Sequence, residues 1–294
     1  MKFIIGIILS LLSFSVMAFE GKSKPIQVIM SFPQGGGVDE TFRHLQKYAV
    51  EQGYNFTGIY KPGGDGILSI NELKNAPKDG YTVMITTPGV LANYIVKTQN
   101  TDLIPLTVIK ISNMSIISRK NSSFNDFASL IETIKTPNAI IKIGIGAPNQ
   151  KLILDQIVKN TEVKATIIEV PYKGASPAIN DVLGGHIDIV IAPLSVTKMH
   201  VDSGKVNLIA TSFKIANTDS LLEKIANFKI NEGFMFVVHK DIPKSSINFY
   251  NDFLKNYLKN DDVRKDFMNS HATTTEFGPV RANAIIQNAA QMIN

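Results

Sequence analysis

The 294-residue chain carries 30 Lys and Arg against 25 Asp and Glu, a net charge of +5, and is 44% hydrophobic and 19% charged. That balance is globular rather than disordered, and the length suits one large domain or two lobes. With no cysteine, disulfides, thiolate metal sites and thiol nucleophiles are excluded; the basic residues are spread out rather than clustered, which argues against nucleic acid as a partner.

In chain order, Lys2, the apolar run 3–14 and Val16-Met17-Ala18 read as a Sec-type signal peptide, residues 1–18, cleaved after Ala18. The run is too short to cross a hydrocarbon layer of about 30 Å, which weighs against a membrane anchor. The expected location is therefore the periplasm. Residues 26–32 alternate as a strand and end at Pro33 and Gly35-Gly36-Gly37; a helix follows from about Asp39, with Phe42, Leu45 and Ala49 on one face. Residues 55–60 read as a strand, 62–66 as a glycine loop, and Ile67, Ile70 and Leu73 as a short helical face stopped by Pro77. Asp79-Gly80 turns the chain into a strand over 81–86. Strand, loop, helix, strand is the pattern of a parallel sheet.

The same pattern recurs further on. Strands are expected at 106–111, 114–118, 140–145, 166–170, 187–191, 206–211 and 234–238. Helices are expected at 124–135, around 152–158 and at 177–183, and from Pro243 to the end. Two α/β units in series predict two lobes, each a mostly parallel sheet flanked by helices. Residues 19–115 and 225–294 form lobe 1 and 116–224 form lobe 2, with crossings near 112–122 and 212–232 and a hinge between them.

Three glycine loops stand between a strand and a helix: Phe32-Pro33-Gln34-Gly35-Gly36-Gly37-Val38-Asp39, Pro62-Gly63-Gly64-Asp65-Gly66, and Gly144-Ile145-Gly146-Ala147-Pro148-Asn149-Gln150. Glycine lets a backbone approach a ligand closely, and the helix start offers unpaired N–H groups to an anion. The alternative is a tight turn in which Asp39 only caps the helix. Neither G-x-G-x-x-G nor a P-loop lysine is present. Thr86 and Thr87 end a strand as hydroxyl donors or as simple turn residues. Tyr172, Lys173 and Gly174 either line a pocket or sit exposed, and after Pro193 the Ser195 hydroxyl is either a helix cap or a ligand donor. No histidine pair, G-x-S-x-G or S-x-x-K supports an enzyme.

Four of these segments resemble, in order, the Bug/TctC solute-binding proteins of tripartite tricarboxylate transporters. They are Pro33-Gln34-Gly35-Gly36-Gly37-Val38-Asp39; Pro62-Gly63-Gly64-Asp65-Gly66 followed by Ala76-Pro77-Lys78-Asp79-Gly80-Tyr81-Thr82; Val170-Pro171-Tyr172-Lys173-Gly174; and Leu183-Gly184-Gly185-His186-Ile187-Asp188. The resemblance implies a monomeric, two-lobed periplasmic binding protein, without catalysis, metal or cofactor, that closes on a small di- or tricarboxylate or related organic acid and serves integral membrane transporter subunits. A receptor presenting its ligand to a membrane sensor has the same pocket, and an exported α/β enzyme is the remaining alternative. Carried over, the carboxylate would be held by backbone N–H groups of Gln34, Gly35, Gly36, Gly37 and Asp39 and of Gly146, Ala147, Asn149 and Gln150. Phe32, Gly64, Asp65, Thr86, Thr87, Tyr172, Lys173, Gly174, Pro193 and Ser195 would line the rest. The sequence departs from the family at Tyr60, where an Asn is common, and at Ala147, where a Ser is usual.

Overall fold

The computed structural model describes residues 19–228 and 233–293, so the signal-peptide reading lies outside the described residues. The strands, in chain order, are β1 (Ile26–Met30), β2 (Phe56–Tyr60), β3 (Thr82–Thr86), β4 (Leu103–Ser112), β5 (Met114–Arg119), β6 (Ile140–Ile145), β7 (Thr166–Pro171), β8 (Ile189–Pro193), β9 (Val206–Thr211), β10 (Asp219–Ser220), β11 (Phe234–His239) and β12 (Ala272–Thr273). They form two six-stranded sheets, ordered β12-β4-β11-β3-β1-β2 and β10-β9-β5-β8-β6-β7. Helices cover both sheets, giving two lobes.

Each sheet is built around three parallel strands, β3-β1-β2 in one and β8-β6-β7 in the other. The first strand after each passage between sheets is inserted antiparallel: β5 between β8 and β9, and β11 between β3 and β4. Every residue of β3, β8 and β11 is buried, which is why they read as unbroken apolar runs rather than alternating ones.

The first core gathers Val28, Ile29, Met84, Phe236 and the C-terminal helices through Tyr250, Tyr257 and Phe267. The second lobe splits its core across the two faces of its sheet, with Phe127, Ile143, Ile153 and Ile191 on one and Ala178, Val182, Ile187 and Val190 on the other.

Several boundaries differ from the sequence expectation. The strand expected from 106 begins at Leu103. Pro105 lacks the N–H that a central strand normally donates, and the ladder accommodates it with a register shift between Phe236 and Val237. The helix Pro88–Thr98 was not expected, although Pro88 at its first turn and the spacing of Val90, Leu91 and Tyr94 carry the signal. The helices expected from about Asp39 and around 152–158 begin earlier, at Gly37 and Pro148, directly on the glycine loops. The C-terminal region is not helical throughout: helices Lys244–Lys259, Asp261–Asn269 and Pro279–Ile293 are interrupted by β12 and the loop that follows it.

Candidate functional site

Five helices begin around one small chamber between the two sheets: Gly37–Glu51, Pro88–Thr98, Pro148–Lys159, Ala175–Gly184 and Leu194–Asp202. The residues at those starts, Gly36 and Gly37, Thr87, Ala147, Ala175 and Pro193, line it. A helix normally has its first N–H groups satisfied by a Ser, Thr, Asp or Asn side chain. Here the capping positions are Gly36, Thr87, Ala147, Gly174 and Pro193, and none makes a side-chain capping bond. The positive ends of these helices therefore face a common space.

The chamber is small, about 30 Å³. Its other walls are Phe32, Val38, Asn149 and Gln150, together with Ser112, Met114, Gly233 and Phe234 from the two passages between sheets. Two buried polar atoms have no hydrogen-bond partner there, Thr87 Oγ1 and Asn149 Oδ1. An orphaned buried polar atom in a cavity wall marks a place prepared for a ligand or an ordered water.

The loops are stiffened from behind. Gln150 Oε1 accepts from the Gly146 N–H at 2.6 Å, closing the 146–150 loop on itself. Gly146 packs so tightly on Gly174 that a Cβ would lie 2.3 Å from its carbonyl carbon. Asp39 is buried but does not line the chamber. Its carboxylate accepts from the Gly35 N–H at 2.8 Å, from Arg43 Nε at 2.9 Å and from the Tyr60 hydroxyl. Burial alone would raise the Asp39 carboxyl; those donors together hold it below its usual range. Tyr60, the departure from the family pattern, is pushed up to about 12, by burial first and then by Asp39.

Of the residues singled out in the sequence, Phe32, Gly36, Gly37, Thr87, Ala147, Asn149, Gln150 and Pro193 line the chamber. Gln34, Gly35 and Gly174 form its rim between the lobes: Ser176 Oγ donates to the Gln34 carbonyl at 3.2 Å, and Gly174 packs on Pro33. The rest lie elsewhere. Thr86 is turned into the first core, where it accepts from Ser31 Oγ at 2.7 Å. Gly64 and Asp65 line a groove with Val90 and Tyr94. Tyr172, with Asp65, borders a separate, wider cleft of about 460 Å³ behind Ala147, and its hydroxyl donates to Asp181 at 2.6 Å. Lys173 is exposed. Ser195 is neither cap nor chamber lining; its hydroxyl donates across the cleft to Glu40, whose other oxygen accepts from Lys110 Nζ at 2.9 Å.

The sequence reading missed Val38, Ser112, Met114, Ala175, Gly233 and Phe234. Four of these border the two passages between sheets, and a crossing that floors a cleft necessarily lines it. Among the described residues no group of His, Asp and Glu is arranged to hold a metal.

The family described as "Tripartite tricarboxylate transporter family receptor" matches residues 56–268. Protein BugT of Bordetella pertussis (strain Tohama I) is 23% identical over 196 residues, 64% of this chain and 60% of that protein, so the chain spans about three fifths of that curated relative's length. The periplasmic binding protein BugD superposes with a TM-score of 0.83 at 20% identity, covering 92% of this chain and 97% of BugD. MatC from Rhodopseudomonas palustris, solved with bound malate, gives 0.80 at 16% identity over 92% and 99% of the two chains. The chain belongs to the tripartite tricarboxylate transporter receptors, the Bug/TctC family, whose members are solute-binding proteins rather than enzymes.

Proposed function

We propose that this protein is a periplasmic receptor that captures a small carboxylate between its lobes and delivers it to the membrane subunits of a tripartite transporter. The observation that carries the reading is the convergence of five uncapped helix starts on one chamber. Such a site holds negative charge with backbone dipoles and needs no basic side chain. The malate bound by MatC, a structural neighbour, supports a carboxylate as the ligand class. The reading of residues 1–18 as a leader, made from the sequence, supports export.

Contacts across the cleft, from Ser195 to Glu40 and from Ser176 to Gln34, support closure by lobe rotation, with a water-excluded pocket when shut. We place the hinge where β4 passes into β5 and where the chain returns ahead of β11.

The test is thermal unfolding of the purified protein with a panel of small carboxylates, followed by calorimetry on those that shift it. At a hundredfold excess over Kd a ligand of the folded state adds about 2.7 kcal/mol, which is a readily measured rise in Tm. If no carboxylate stabilises the protein while an uncharged or cationic solute does, the reading fails.

A further inference from the structure

The contacts between the lobes include three of one kind, each a glycine of one lobe against a proline of the other. A Cβ on Gly37 would lie 3.1 Å from Pro193 Cγ, one on Gly89 3.3 Å from Pro148 Cβ, and one on Gly174 2.7 Å from Pro33 Cδ. Gly37 and Gly89 lie in the first turns of their helices, Pro148 opens another, and Gly174 and Pro193 stand at the capping positions of the remaining two. The three contacts therefore take in all five helix starts around the chamber. A proline ring against a residue without a side chain lets two backbones come close, and the proline has no N–H to be left buried and unpaired.

The three glycines are not equivalent. Gly37 also serves its own lobe, where the same Cβ would lie 2.5 Å from Phe234 Cζ, and Gly174 has a φ of +129°, which side chains rarely adopt. Gly89 is buried in ordinary helical backbone. The three atoms nearest to a Cβ there are Asn149 N at 3.1 Å, Pro148 Cβ at 3.3 Å and the Pro148 carbonyl carbon at 3.6 Å, all of the opposite lobe. Two are backbone atoms and the third belongs to a proline ring, so none can swing aside to admit a side chain. Gly89 also stands two residues after Thr87 and touches Asn149. Those two residues, 4% and 7% exposed, each leave a side-chain atom in the chamber wall without a hydrogen-bond partner. The seating of Gly89 thus sets how far apart the lobes hold them.

Building on the proposal that the lobes close on a ligand, we propose that the three glycine–proline contacts are the stop at which closure ends, and that Gly89 is the positioning residue that sets it. A side chain there holds the lobes apart while leaving its own lobe undisturbed.

The chain has no cysteine, which makes the test direct. A Cβ on Gly36 would lie 3.7 Å from Ser176 Oγ across the cleft, so Gly36→Cys with Ser176→Cys brings two thiols together when the lobes meet. Disulfide formation without added ligand, corrected for the rate at which a small maleimide labels each thiol, is compared in this pair alone and in the pair carrying Gly89→Ala or Gly89→Leu. The expected result is trapping about tenfold slower with Gly89→Leu, the cost of an overpacked contact, and slowed by a smaller factor with Gly89→Ala. The unfolding midpoint of Gly89→Ala by itself should equal or exceed the parent's, because Ala favours a helix over Gly. Trapping as fast with Gly89→Leu as without it, or a lowered midpoint in Gly89→Ala, overturns the role of Gly89 and leaves the receptor reading intact. A cysteine pair that never oxidises overturns both this stop and the closure on which it rests, while carboxylate binding is decided separately by the thermal panel.

Discussion

Asp39 shows how one buried carboxylate can shape an anion site without occupying it. An acid in the first turn of a helix ordinarily offsets the positive end, and here it would compete with the ligand. Instead its two oxygens are committed to Gly35 N–H, Arg43 and Tyr60, so it holds the glycine loop in place from behind the chamber. Tyr60→Phe removes one donor from this buried charge and should lower stability by about 1–2 kcal/mol at neutral pH. The sign of the pH dependence follows from the lowered Asp39 pKa. Its stabilising contribution is complete above the ordinary carboxyl range near pH 4 and is lost as pH falls through the lowered value. Urea unfolding of parent and Tyr60→Phe between pH 7 and 3 should therefore converge at the acid end. A difference that stays constant through that range would mean Asp39 is not the partner that matters. The glycines show how far residues speak for themselves. Gly35-Gly36-Gly37 was legible as a loop, but not the division within it. A Cβ on Gly36 would meet nothing closer than 3.6 Å, whereas one on Gly37 would lie 2.5 Å from the Phe234 ring. That distinction depends on Phe234, nearly two hundred positions away, and no local pattern reports it.

At the scale of elements, the parallel strands and the helices that follow them were legible because their periodicity and glycine punctuation are local. What escaped was set by distant pairing. Pro105 disguised the start of β4, which is tolerated because β11 shifts register against it. The reading of Ser195 as a cap failed because its helix begins one residue earlier, at Leu194, leaving the hydroxyl free to reach the opposite lobe. The element it meets is the helix Gly37–Glu51, through Glu40, and Glu40 is fixed in turn by the fully buried Lys110 on β4. A buried ammonium deprived of its ion-pair partner is strongly destabilising, whereas replacing both members by uncharged groups is close to neutral. Glu40→Gln alone should therefore lower stability by about 3 kcal/mol, and adding Lys110→Met should restore most of it. Ser195→Ala should leave unfolding within about 0.5 kcal/mol of the parent but speed ligand dissociation several-fold, because it removes a bond formed only when the lobes meet. Equal dissociation rates in stopped-flow would show that this bridge does not contribute to closure.

At the scale of the molecule, the proposed capture by closure requires two lobes with separate cores to move against each other without coming apart. Two passages of chain join them, and the structure fastens the first of these to the second lobe. Asn113, the single residue between β4 and β5, is buried; its Nδ2 donates to the Phe213 carbonyl at 3.2 Å and its Oδ1 accepts from the Phe213 N–H at 3.0 Å. Next to it the Met114 N–H donates to Ser212 Oγ at 3.1 Å, and the Ser212 N–H donates to the Met114 carbonyl at 2.8 Å. The passage through Asn113 is thereby clipped to the end of β9, which fixes the strand ends that carry Ser112 and Met114 into the chamber wall. Asn113→Ala strips both partners from Phe213 and should cost about 1–3 kcal/mol. Its more telling effect is on coupling. Hydrogen exchange in rising urea should show β1 and β6, one from each sheet, opening together in the parent and at different concentrations in Asn113→Ala. If the two strands still open together, the lobes are held as one cooperative unit by the cleft contacts rather than by this clip, and the hinge lies elsewhere.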